Sequence, residues 1–198
     1  MKKLSTLLLV IAAACGKDKS ASAPPAQPID VAGVNALLPA ELKDKLVFEQ
    51  REIVEERGKR SKVTYTLAAP KGWENDMKMF ASFKPKGDTN LGFMTEISVG
   101  SNCDGRCEAK DWAAVSEKVN FAQFRGEGWK VVKEEKNKTN HLLIAEKEDS
   151  TYVQYAWWND GARKYWTCRA TLDSAELKGT GPAFAKACQA VNLKGDLD

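Results

Sequence analysis

Apolar residues in this chain fall into short alternating runs more often than into helical stripes. Val63, Tyr65 and Leu67 alternate with Lys62, Thr64 and Thr66, the two-residue period of a half-buried strand. Upstream, Leu46-Val47-Phe48 leads into a charged stretch and the basic turn Gly58-Lys59-Arg60. That charge run, from Glu49 to Arg60, reads as a solvated sheet edge, where charges deter edge-to-edge pairing. Pro70-Lys71-Gly72-Trp73 stops the next strand. Residues 77–83, and then Phe93, Thr95, Ile97 and Val99, supply two more strands around the turn Lys86-Gly87-Asp88. Four further strands are predicted at 129–135, 141–147, 151–158 and 163–172.

Helical spacing appears in three places. Residues 34–46 predict a helical entry segment around Pro39. Trp112, Val115, Val119 and Ala122 predict a central helix, with Asp111 capping its start and Gly126 and Gly128 ending it. Pro182 opens a last helix whose Phe184, Cys188 and Val191 share one face. Strands in meander order with helices inserted in the middle and at the end predict an α+β fold. Its expected form is a largely antiparallel sheet of about six to seven strands, packed by the central and C-terminal helices.

Composition narrows the class. The chain has 198 residues, 43% apolar and 29% charged, which suits one globular domain rather than a disordered or fibrous chain. Lysine and arginine number 30 against 27 acids, so no basic surplus points to nucleic acid.

The N-terminus reads as an address. Lys2 and Lys3 precede an apolar run, 4–14, which ends in small residues before Cys15. That is the layout of a secretory signal peptide. Eleven helical residues reach only about 16 Å, roughly half a bilayer core, so the run is no permanent anchor. Ala12-Ala13-Ala14-Cys15 resembles the lipobox of bacterial lipoproteins, although Ala12 stands where Leu, Val or Ile is commoner in that family. The resemblance implies cleavage before Cys15, with diacylglycerol on its thiol and an acyl chain such as palmitate on its new amine. Ala12 and Ala14 also fit an ordinary A-x-A cleavage site, the alternative at this point. Residues 16–28 are Lys, Ser, Ala and Pro without apolar periodicity, the composition of a flexible tether.

The expected organisation is therefore a signal peptide at 1–14, a lipidated Cys15 with its tether to 28, and a single globular domain at 29–198. Removal of residues 1–14 takes away Lys2 and Lys3 and leaves a net charge of +1. Several acyl chains, at about 0.8 kcal/mol per buried CH₂, make release from a membrane negligible. In diderm bacteria, Gly16 rather than Asp after the Cys implies sorting to the outer membrane, facing the periplasm or the surface.

Five cysteines occur, at 15, 103, 107, 168 and 188. Lipidation of Cys15 removes the odd one and leaves four, which allow three pairings. Cys103 and Cys107 flank an Asp104-Gly105 turn that folds them back on each other. Cys168 shares a strand face with Trp166, Ala170 and Leu172, and Cys188 lies on the apolar face of the last helix, so 103–107 and 168–188 are the preferred bridges. Zinc is the rival, because C-x₃-C fits half of a knuckle, but the second pair has nineteen residues between its members. An oxidising compartment favours disulfides.

Few residues invite chemistry. His141, the single histidine, follows the polar turn Asn137-Lys138-Thr139-Asn140 and reads as a solvated strand-end residue. No G-x-S-x-G elbow accompanies it. Asn102, Asp104, Gly105 and Glu108 lack the ligand spacing of a calcium loop. Gly179-Thr180-Gly181 reads as a turn. No catalytic residues, metal or cofactor are assigned, and the chain is read as a non-enzyme.

The unusual feature is aromatic. A two-residue loop at Asp160-Gly161 would pair Trp158 with Arg163, Ala156 with Tyr165, Gln154 with Thr167 and Tyr152 with Arg169. The opposite face would pair Tyr155 with Trp166 and Val153 with Cys168. With the Cys168 face in the core, Tyr152, Trp158 and Tyr165 line the other face beside Arg163 and Arg169, a candidate contact surface for a sugar, peptide or protein. The alternative is a second layer, the central helix with Trp112, covering that face.

The run from Tyr65 to Trp73 (YTLAAPKGW), the central helix, the closing strands and the terminal helix resemble the PsbP-like α/β/α sandwich over about residues 61–193. That resemblance implies accessory or binding proteins, mostly without catalysis, and carries no site residues over. The reading reached is a membrane-anchored envelope lipoprotein with a non-catalytic module for a protein or other envelope component. A small-molecule or glycan carrier is the alternative, and a hydrolase ranks below both.

Overall fold

The structure, a computed structural model, describes residues 28–57, 61–75, 81–87, 91, 94–102, 111–116, 121–126, 128–159 and 164–195. The fold is α+β, with ten strands and three α-helices among these residues and every strand pair antiparallel. The expected signal peptide and tether with Cys15, the expected Cys103–Cys107 bridge and Arg163 lie outside the described residues.

Two sheets, rather than one, carry the strands. The smaller has the order β1-β2-β10, with β1 at Phe48–Arg57, β2 at Ser61–Pro70 and β10 at Asn192–Gly195. The larger runs β3-β4-β5-β9-β8-β7-β6. Its strands are β3 Trp73–Glu74, β4 Ala81–Pro85, β5 Glu96–Asn102, β6 Lys130–Lys136, β7 Asn140–Lys147, β8 Ser150–Asn159 and β9 Lys164–Asp173. The charged run forms β1, an edge strand whose Gln50, Glu52, Val54 and Glu56 are exposed.

The entry segment starts earlier than its pattern suggests. Helix α1 is Val31–Ala36, because the Asp30 carboxylate accepts from Gly33 N at 2.8 Å and caps it. The 3₁₀ turn Ala40–Leu42 follows Pro39. Asn35 then takes the place of a strand neighbour at the open end of β1. Its carboxamide accepts from Phe48 N at 2.8 Å and donates to Phe48 O at 3.0 Å.

One face of the larger sheet is covered by the smaller sheet, α1 and α3 (Gly181–Gln189). Tyr65 of β2 meets Trp166 of β9 edge-on at 5.9 Å, and Phe184 of α3 meets Phe48 at 4.9 Å. Helix α3 lies so close to the sheet that a Cβ on Gly181 would sit 3.0 Å from Ile144 Cγ2 and 3.2 Å from Thr151 Cγ2. Strand β10 is short and poor in apolar residues. Gly195 ends it at φ +114°, where a Cβ would collide with the Lys62 carbonyl, so only glycine lets β10 close against β2.

Cys168 of β9 is joined to Cys188 of α3 by a disulfide, with the Cα atoms 5.3 Å apart. Both residues are fully buried, so the bond ties the last helix to the centre of the sheet. It closes a loop with a sequence separation of 20. Replacing both cysteines with alanine is expected to lower the unfolding free energy by about 3 kcal/mol, mainly by relaxing the unfolded chain. Urea titration of the two proteins checks this; equal midpoints would mean that the bond constrains nothing.

Candidate functional site

The β8–β9 hairpin corrects one expectation and preserves another. Trp158 pairs with Tyr165, Ala156 with Thr167, Gln154 with Arg169 and Tyr152 with Thr171. The strands end at Asn159 and Lys164, so the connection is four residues long, not two. Each residue of β8 therefore meets a partner two positions further along β9. A shift of two keeps every side chain on its face. Trp166, Cys168, Ala170 and Val153 belong to the first core, and Tyr152, Ala156, Trp158 and Tyr165 to a second.

That second core removes the open aromatic surface. Tyr152 and Trp158 are 8% exposed and Tyr165 is 4% exposed. They are covered by α2 (Trp112–Ser116) and the 3₁₀ turn Ala122–Arg125, which contribute Trp112, Val115 and Phe124. Phe124 stacks on Tyr152 at 3.8 Å and meets Trp129 edge-on at 5.0 Å. The Tyr152 hydroxyl donates to Gln154 Oε1 at 2.6 Å, and burial pushes its ionisation above the ordinary tyrosine range. Arg169 alone of the candidate patch is exposed within the described residues. Asp111 caps α2 as its position suggests, accepting from Ala114 N at 3.0 Å, but Ala122 begins a 3₁₀ turn and does not continue the helix.

His141 is the other correction. It is 5% exposed, not solvated, and its ring lies edge-on to Phe121 at 4.2 Å. Its Nε2 is 2.8 Å from Glu134 Oε1, the same oxygen that receives the Arg125 guanidinium and lies 3.4 Å from Lys136 Nζ. The Arg125 hydrogen bond, helped by His141 and Lys136, holds the Glu134 carboxyl down at about 2, against the opposing effect of burial. Burial lowers the His141 pKa, and the Arg125 and Lys136 charges add to this, outweighing the Glu134 attraction. At neutral pH the histidine is therefore neutral and faces an ionised carboxylate. A carboxylate only accepts, so Nε2 carries the proton and Nδ1 is the acceptor.

Sequence reasoning missed Glu134 and Arg125, because β6 looks like a uniformly charged strand. The available signal was the hairpin diagonal. Lys136 pairs with His141 across the Asn137–Asn140 turn, which places Glu134 one diagonal step from the imidazole.

Between α2 and this turn lies a cleft of about 480 Å³. Trp112 and Ser116 line it from the helix, and Lys136, Lys138, Asn140 and His141 from the hairpin. The turn is held in shape by its amides: Asn137 Nδ2 donates to Asn140 Oδ1 at 3.0 Å, and Asn140 Nδ2 to Thr139 Oγ1 at 3.3 Å. Among the described residues no group of three His, Cys, Asp or Glu side chains converges as a metal site, and no helix is long and apolar enough to cross a membrane.

No protein-family model matches the sequence, and no curated protein matches it. Solved structures with some similarity to this chain include two of one yeast protein. The Ran-binding protein Mog1p of Saccharomyces cerevisiae is 10% identical, with a TM-score of 0.44 over 73% of this chain and 95% of its own. A single-substitution variant of Mog1 has the same identity and coverage, with a TM-score of 0.42.

Two outcomes are expected from this geometry. Trp158→Ala should lower stability by about 3–5 kcal/mol, as for an aromatic residue removed from a core; chemical unfolding measures it, and a loss under about 1 kcal/mol would mean an uncovered ring. The pH dependence has a definite sign. The His141 pKa is depressed below its ordinary 6.5, so its contribution is present above that pH and is lost as pH falls through the folded value. Glu134, lowered from 4.5 to about 2, acts in the same direction at more acidic pH. Stability should thus begin to fall below pH 6.5 in the native protein. In His141→Gln, which keeps an N–H donor, that first part of the decline should vanish, because the chain contains no other histidine.

Proposed function

We propose that this chain is a lipid-anchored protein of the bacterial cell envelope, facing the periplasm or the surface, whose folded domain binds a partner without catalysis. The observation that carries the reading is cysteine parity. Cys168 and Cys188 are bonded to each other within the core, the chemistry of an exported domain. The spacing of Cys103 and Cys107 around Asp104-Gly105 suits a second bridge, which leaves Cys15 as the odd thiol, placed after a lipobox-like Ala12-Ala13-Ala14. An outer-membrane address follows from Gly16 under the enterobacterial sorting rule. The resemblance to PsbP-like accessory domains agrees with a binding role.

His141 supports the non-catalytic part. Its Nε2 proton is committed to Glu134, and Glu134 is already shared with Arg125 and Lys136, so the pair acts as a strut between β6 and β7. Of the two kinds of partner, a small molecule or glycan is favoured over a protein. The aromatic residues Tyr152, Trp158 and Tyr165 are buried, whereas the cleft beside α2 has the size of a ligand site.

Cys15→Ala tests the anchor. The native protein should sediment with membranes and partition into detergent, and the variant should be released or left unprocessed. Unchanged membrane retention of the variant would sink the lipid-anchor reading.

A further inference from the structure

We propose that the cleft between α2 and the β6–β7 turn binds a small organic anion, a carboxylate or phosphate borne on a molecule of roughly monosaccharide size. The proposal deepens the binding-module reading and rests on it. It does not depend on the lipid anchor.

Three observations carry it. The first is size: about 480 Å³ lies within the range of roughly 300–1,000 Å³ that small-molecule sites occupy. The second is charge. The described lining includes Lys136 and Lys138 and no carboxylate. The nearest acid that engages these groups, Glu134, is spent on the interior, since Arg125, His141 and Lys136 all converge on its Oε1. Among the described residues the lining thus carries two lysines, of which Lys136 also reaches Glu134, and its histidine is neutral. Lys138, exposed on the turn, makes no ion pair among the described residues. The third is rigidity. The Asn137–Asn140 and Asn140–Thr139 hydrogen bonds fix the turn that carries Lys138, and the His141–Glu134 bond fixes its base, so little ordering is needed on binding.

The chemistry follows from these groups. An anionic group placed at the mouth meets the two ammonium groups, while the body of the ligand lies toward Trp112, which forms part of the wall. With its Nε2 proton given to Glu134, His141 offers an acceptor at Nδ1 and not a second positive charge. That favours a ligand that also carries a hydroxyl. A neutral molecule of the same shape lacks the attraction that distinguishes this cleft.

The test is ligand-observed NMR on the full chain with three probes: D-glucuronate, D-glucose 6-phosphate and D-glucose. At least one anion should bind saturably and at least about tenfold more tightly than glucose. Binding should weaken by about fivefold or more in Lys136→Gln/Lys138→Gln, whose melting profile should stay close to native because both side chains are exposed. Response to glucuronate alone would identify a carboxylate ligand, and response to the sugar phosphate alone a phosphoryl ligand. Equal binding of glucose, anion binding indifferent to the double substitution, or no saturable binding of either anion up to about 10 mM would each overturn the proposal. Conversion of a probe, visible as new signals in the same spectra, would instead overturn the non-catalytic reading while leaving anion recognition in place.

Discussion

The centre of the seven-stranded sheet has no face that tolerates water. Strands β8 and β9 carry large side chains on both sides, with Trp166, Val153 and Leu172 on one and Tyr152, Trp158 and Tyr165 on the other. A sheet with that sequence must be covered twice, since leaving either side open would expose a contiguous aromatic surface. The long covering layer is supplied by α1, α3 and the β1-β2-β10 sheet, and the short one by α2 and the 3₁₀ turn after it. Covalent reinforcement falls where the sequence ends its last helix, through Cys168 and Cys188.

Helix α2 faces the β6–β7 hairpin across the cleft. The strand ends beyond it still need their inward-facing polar residue satisfied, and His141 is that residue. Glu134 and Phe121 complete it, one by a hydrogen bond and one by ring contact. Burying the imidazole requires an acceptor, burying the acceptor requires Arg125, and Lys136, exposed beside it, leaves positive charge at the mouth of the cleft. The charge of the candidate site is thus a by-product of solving a burial problem at a sheet end.

Much of the fold was legible because period-two alternation is a strong signal. Strands β2 and β5–β9 and the terminal helix stand close to where their patterns put them, and the two faces of β8 and β9 were separable from parity alone. Other features were not. Asp160-Gly161 satisfies a tight turn by itself, and nothing local in the sequence reveals that Asn159 pairs with Lys164. Strand β10 has four residues and one apolar side chain, so its existence depends on β2 presenting an edge. The site was harder still. His141 looked solvated because its neighbours in sequence are polar, whereas its burial comes from Phe121, twenty positions earlier, and from Glu134 across the hairpin.

The two covering layers also separate the two ends of the proposed function. The described chain begins on the long-layer side, where Ile29 N donates to Gln50 Oε1 at 3.1 Å, Asp30 lies 3.7 Å from Lys186 of α3, and α1 packs into the first core. The cleft lies on the other side of the seven-stranded sheet, under α2. Sheets and the layers packed on them sit about 10 Å apart, so the entry to the domain and the cleft are divided by the full thickness of a sheet and its cover. A chain held to a bilayer through residues preceding Pro28 would therefore have its attachment on the α1–α3 face and its cleft on the opposite one. Anchoring and ligand access then make no competing demands on the same surface, and the disulfide that ties α3 to β9 stiffens the half of the domain on which the tether would pull.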